Sequence, residues 1–100
     1  MAGFVQIIEF TTSRFEELQK LVDDYRAERE GGPGGPTRGV VARDRDNPNR
    51  YVNIVEFPSY QEAMANSERA DTTDFAARMA ALCDAPPTFS NLDVVEEWTR

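Results

Sequence analysis

Arg50-Tyr51-Val52-Asn53-Ile54-Val55-Glu56-Phe57, followed at once by Pro58-Ser59-Tyr60-Gln61-Glu62, carries a strand and a helix start back to back. The first eight residues are rich in β-branched and aromatic side chains and lack helical spacing, which predicts a strand. Ser59 with Glu62 three residues on is a capping box, in which hydroxyl and carboxylate satisfy the orphan amides of a first helical turn. The same cadence opens the chain. Phe4 to Thr11 (FVQIIEFT) reads as a strand, and Ser13-Arg14-Phe15-Glu16 as a capping box. Phe15, Leu18, Leu21, Val22 and Tyr25 then recur at helical spacing, with Glu16, Glu17, Lys20, Asp23 and Asp24 opposite, so this helix covers a core with one side.

Between the two strand-helix units, Gly31-Gly32-Pro33-Gly34-Gly35-Pro36 ends the first helix, since glycine accepts a left-handed C-cap and proline cannot continue the ladder. A strand over about Thr37 to Arg45 leads to the turn Asp46-Asn47-Pro48-Asn49 and pairs with Arg50 to Phe57 as a hairpin. After Ser59 a short helix runs to about Arg69. Asp71 to Thr73 is a fresh capping cluster, and Phe75, Met79 and Leu82 mark one face of an alanine-rich helix ending near Cys83. Pro86-Pro87 forbids its continuation, and Phe89 to Trp98 supplies a last strand. The order predicts one α+β domain over residues 1–100 with the ferredoxin-like βαββαβ plan: a four-stranded antiparallel sheet with helices on one face.

Such a sheet exposes its other face, which should then be polar. Neither alternate set is. One carries Val5, Ile7 and Glu9 with Val52, Ile54 and Glu56; the other carries Phe4, Gln6, Ile8 and Phe10 with Tyr51, Asn53, Val55 and Phe57. The aliphatic sets suit packing under the helices, and the sets with an amide among aromatics suit a second, semi-polar buried surface. A second copy of the chain is the economical cover for that face, so a homodimer is expected.

Composition removes several classes of function. A net charge of −7 with arginines scattered between carboxylates offers no basic stripe for nucleic acid. No apolar run approaches the roughly 20 residues that span a bilayer. No secretory signal precedes the first strand, and the lone Cys83 cannot close an internal disulfide, so a cytoplasmic location is expected. The chain has no histidine, which removes Cys-His and Ser-His nucleophilic catalysis and the usual imidazole ligands of a transition metal. The loop from Gly31 to Pro36 follows a helix and lacks the lysine of a phosphate-binding loop, so it reads as a connector or lid. Asp44 to Asn49 lacks the glycine and terminal glutamate of a calcium loop and reads as a turn. Glu9 and Glu56, late in neighbouring strands, could share a proton, or each could pair with an arginine.

The strand order, the segment Tyr51 to Phe57 running into Ser59-Tyr60-Gln61-Glu62-Ala63-Met64, and the final strand after a proline-marked loop resemble the dimeric α+β barrel superfamily, in particular its antibiotic-biosynthesis-monooxygenase-like domains. The resemblance covers nearly the whole chain. It implies two sheets facing each other across a dimer axis, with a pocket between each sheet and its helices or inside the barrel. Members include cofactor-independent oxygenases of polyketide quinones and haem-degrading enzymes. The oxygenases share an asparagine and a tryptophan four positions apart on the third strand; here Asn53 matches the first, while Phe57 stands at the second. An axial histidine for haem is absent, and Asn66 occupies the neighbourhood where many relatives carry a histidine after that strand.

By this resemblance Asn53 and Tyr51 are the candidate catalytic residues, with Asn53 able to hold a phenol or enolate oxygen because an amide both donates and accepts. A structural amide in the dimer interface is the alternative. Phe4, Phe10, Tyr51 and Phe57 would form a slot for a planar ring or simply pack the core. With Gln6, Asn66 and Trp98, these phenylalanines make up the candidate substrate-binding set; Trp98 either swings over the partner or, more plainly, staples the last strand. No cofactor and no metal are called for. The expected function is a small-ligand-binding homodimer without an assigned reaction, and the alternative is a cofactor-independent monooxygenase of a small aromatic metabolite.

Overall fold

A computed structural model describes residues 3–29 and 34–100. The elements are β1 (Phe4–Thr11), α1 (Phe15–Arg29), β2 (Arg38–Arg43), β3 (Arg50–Phe57), α2 (Tyr60–Ser67), α3 (Ala70–Leu82) and β4 (Thr88–Asp93). The strands form one antiparallel sheet in the order β2-β3-β1-β4. This is the predicted βαββαβ arrangement, with the second helical region split as the capping signals implied. A thinnest dimension of 21 Å fits one sheet and one helical layer. Among the described residues, no helix is long and apolar enough to cross a membrane.

Register sorts the side chains. Phe4 lies opposite Phe57, Gln6 opposite Val55, Ile8 opposite Asn53 and Phe10 opposite Tyr51. Phe4, Phe10, Tyr51, Val55 and Phe57 are buried and pack with Leu18 of α1, Ala63 of α2 and Met79 of α3. The set with amides among aromatics therefore faces the helices, and the aliphatic set Val5, Ile7, Val52 and Ile54 faces away, the reverse of the sequence expectation. Two physical reasons decide it. Rings fill the depth between a sheet and helices that present Phe15, Leu18, Phe75 and Met79, where short branched chains would leave voids. The aliphatic set also carries the ionised groups: Glu56 pairs with Arg38 at 2.9 Å and Glu9 pairs with Arg50, and only a helix-free face keeps these ion pairs wet.

The corner between β1 and α1 also departs from expectation. Ser13 and Glu16 do not form the capping box; Ser13 Oγ instead donates to Asp84 at 3.1 Å. The fully buried Thr12 takes over, its Oγ1 accepting from the Arg14 amide at 3.0 Å and donating to the Leu82 carbonyl at 2.6 Å. That carbonyl is one of the orphans at the C-terminus of α3, so a single hydroxyl ties the start of one helix to the end of another. Ser59 caps α2 as predicted, its Oγ accepting from the Glu62 amide at 3.1 Å, while the return bond from the Ser59 amide to the Glu62 carboxylate does not form. α3 begins at Ala70, ahead of the Asp71–Thr73 cluster, and has no side-chain N-cap.

β4 stops at Asp93 rather than reaching Trp98, and Trp98 is 80 % exposed, so it staples nothing within this chain. Of the glycine-proline loop, residues 31–33 lie outside the described residues, while Gly34 and Gly35 take φ of 77° and 86°, which glycine adopts without a Cβ clash.

Candidate functional site

The helix-facing side of the sheet has two apolar ends. At one, Phe4, Val55 and Phe57 pack under Ala63 and Met64 of α2. At the other, Phe10 and Tyr51 pack under α1 and α3, with Tyr51 stacked on Phe15 at 4.3 Å and on Phe10 at 5.5 Å between ring centres. Tyr51 is only 4 % exposed. The four strand aromatics thus belong to separate clusters, Phe4 meeting Phe57 at 6.5 Å and Tyr60 edge-on at 5.5 Å. The planar slot expected of Phe4, Phe10, Tyr51 and Phe57 is filled by the protein's own rings.

The polar residues lie between these ends. Gln6, Ile8 and Asn53 form the middle of the face, and Ile8 packs against both clusters. Gln6 Nε2 donates to Asn91 Oδ1 on β4 at 3.1 Å. The half-buried Asn53 side chain makes no hydrogen bond among the described residues. Since a buried amide without partners is costly, this one is left for solvent or a ligand. β2 and β4 extend the face past the helices, with Val41 beside Asn53 and Phe89 beside Ile8 both well exposed.

Above the sheet, Asn66 at the end of α2 joins residues that sequence reasoning did not single out. Arg29 Nη1 donates to Asn66 Oδ1 at 2.5 Å and to the Tyr25 hydroxyl at 2.6 Å, while that hydroxyl meets Thr72 Oγ1 at 2.8 Å. Tyr25 stacks on Phe75 at 4.2 Å, fixing the end of α1 against α3. The signal was present: Arg29 lies one helical turn beyond Tyr25 on the stripe read as apolar. Beside this network opens a hollow of about 380 Å³ lined by Arg29, Gly34, Gly35, Glu62, Asn66 and Arg69, among others. Asp71 serves both arginines, and hydrogen bonding from Arg69 holds its carboxyl below the usual range.

The remaining candidates separate. Antiparallel register sets Glu9 opposite Val52 and Glu56 opposite Val5, so they lie at opposite ends of β1 and β3 and share no proton. A smaller hollow of about 260 Å³ touches Glu9, Thr11, Arg50, Pro86 and Thr88, but its charges are spent on each other, Arg50 also holding Asp44 at 3.0 Å. Burial pushes the Cys83 thiol up, and Asp84 adds to the effect, so the group stays protonated near neutrality. Among the described residues no group of three or more His, Cys, Asp or Glu side chains is placed to hold a metal ion.

No family model and no curated protein matches this sequence. Solved structures do match. The cofactor-independent oxygenase SnoaB from Streptomyces nogalater, solved as an N63A mutant, superposes with a TM-score of 0.75 at 19 % identity over 99 % of this chain and 97 % of its own. Rv0793 from Mycobacterium tuberculosis gives 0.77 at 14 % identity over 98 % of this chain and 100 % of its own. A proposed antibiotic biosynthesis monooxygenase from Caulobacter crescentus CB15 gives 0.75 at 16 % identity over 95 % and 92 %. At such identities the common property is the fold, and it spans essentially the whole of each chain.

Proposed function

Starting from a chain with the ferredoxin-like fold of the antibiotic-biosynthesis-monooxygenase-like α+β barrels, we propose that this protein is a homodimer that binds a small aromatic ligand between each sheet and its helices. The observation that carries the binding reading is Asn53: a half-buried amide, unpartnered among the described residues, between two apolar clusters. It can donate to and accept from a phenolic oxygen while Ile8, Val41 and Phe89 meet the ring. Gln6, held by Asn91, is the second polar contact. A second copy covers the middle of the helix-free face, where Val5, Ile7, Val40, Val52, Ile54 and Leu92 form an apolar sheet surface too broad for a monomer, and leaves the Glu9–Arg50 and Glu56–Arg38 pairs at its two ends in water. Val95 and Trp98, 96 % and 80 % exposed beyond β4, are further surface for that partner. The single cysteine and the acidic charge accord with a cytoplasmic protein free of nucleic acid.

Titration of isotope-labelled protein with 1-naphthol tests the ligand reading. Saturable shifts of the Asn53 and Gln6 side-chain amides, lost in Asn53→Ala, support it; shifts confined to the helix-free face overturn it. An oxygenase reading rests on the same amide and on the likeness to SnoaB. Oxygen uptake with an anthrone, abolished in Asn53→Ala, would favour catalysis; binding without uptake favours the non-catalytic dimer.

A further inference from the structure

The Arg29 network carries a separate reading, independent of Asn53. The Arg29 side chain is 13 % exposed, and a guanidinium so far removed from water needs acceptors. Its Nη1 spends both hydrogens, on the Tyr25 hydroxyl and on Asn66 Oδ1. Among the described residues its charge faces one carboxylate, Asp71, 3.9 Å from Nε. That carboxylate already accepts from Arg69 Nε and Nη2 at 3.0 and 3.1 Å, so two guanidinium groups divide one negative charge.

What remains is a set of donors. Arg29 Nη2 meets no acceptor among the described residues and stands beside Gly35, where an added Cβ would lie 3.5 Å from it. Arginine can only donate, so Asn66 must turn its oxygen to Arg29, and its amino group, also without an acceptor among the described residues, faces elsewhere. Both residues line the 380 Å³ hollow with Arg69. Glu62 is the one carboxylate among the described residues of that lining; it opposes a dianion more than a single negative charge.

From this geometry we infer that the hollow binds the carboxylate of a small monocarboxylic acid, with Arg29 Nη2 and Asn66 Nδ2 donating to its oxygens and Arg69 supplying further positive charge. A planar fork suits a carboxylate better than a point charge does.

The test titrates isotope-labelled protein with sodium benzoate, its neutral isostere benzamide, and inorganic phosphate. Benzoate is expected to bind saturably, moving the Asn66 amino and Arg29 Nε–H signals, at least about tenfold more tightly than benzamide and more tightly than phosphate. Arg69→Gln alters a half-exposed side chain and should weaken benzoate several-fold with the fold intact; Arg29→Lys, which keeps charge but loses the fork, should weaken it at least about tenfold. Equal affinity for benzoate and benzamide, or unchanged affinity in both Arg69→Gln and Asn66→Ala, overturns the inference. Phosphate binding more tightly than benzoate overturns the monocarboxylate assignment. Loss of benzoate binding in these variants with 1-naphthol binding retained separates this site from the Asn53 reading.

Discussion

Asn53 lies directly opposite Ile8 across the β1–β3 pair, and Ile8 packs against both apolar clusters of the helix side. The amide thus sits between the two apolar clusters, across from the residue that joins them. An amide spent inside the protein behaves differently on replacement from one that faces solvent or a ligand.

Replacing Asn53 by leucine separates these cases. With no internal hydrogen bond to lose, Asn53→Leu should change unfolding free energy by less than about 1 kcal/mol, whereas breaking a satisfied buried bond costs about 1–3 kcal/mol. Urea denaturation measures the difference, and 1-naphthol binding should disappear in the same variant.

Tyr51 should act as a core residue. Its ring is clamped between Phe10 and Phe15, so Tyr51→Ala should cost about 3–5 kcal/mol, the range for deleting a buried ring. Tyr51→Phe keeps the stack and should retain both stability and ligand binding. Loss of binding in Tyr51→Phe with stability intact would give the hydroxyl a role in the site.

The helix-free face should hold the dimer. Ile54 lies opposite Ile7 and Val40 at the centre of that face, where a carboxylate would have no partner in a covered interface. Light scattering should give a dimer mass for the native chain at micromolar concentration and a monomer mass for Ile54→Glu, with unchanged circular dichroism. A native monomer would remove the interface.

Acid sensitivity should come from hydrogen-bonded carboxylates. The amides of Asp46 and Asn47, with help from Arg50, hold the Asp44 carboxyl below its ordinary value, and hydrogen bonding from Arg69 does the same for Asp71. A lowered folded value means that the contribution is complete above the unfolded pKa of about 3.9 and is lost as pH falls through the folded one. Stability should therefore fall below about pH 4, with no histidine adding a step between pH 5 and 8. Asp44→Asn should be less stable than the native chain at pH 7, and the gap should close in acid; denaturant midpoints across pH check this.

Thr12→Val keeps the shape but removes the hydroxyl shared by the Arg14 amide and the Leu82 carbonyl. Leaving these half-buried groups unpaired should cost about 1 kcal/mol, the lower end of the range for unsatisfied buried groups, measured by thermal or urea unfolding. A change near zero would mean that other groups cap α3, the Arg14 guanidinium at the Ala81 carbonyl being the nearest candidate.

Read alone, the sequence determined the order of elements, the hairpin, the split second helix, the lack of a polar sheet face and the chemistries excluded by having no histidine. These follow from local capping, turn residues, strand alternation and composition, none of which needs distant parts of the chain. Alternation defines two faces without saying which one meets the helices. That was decided in three dimensions, where Phe15, Leu18, Phe75 and Met79 needed rings beneath them and the ionised Glu9 and Glu56 needed water. The tertiary structure likewise replaced Ser13 by Thr12 at the β1–α1 corner and left Trp98 outside the fold. It also joined Arg29 to Asn66 across 37 residues, a contact that depends on how α1, α2 and α3 pack together and is beyond the reach of any local pattern.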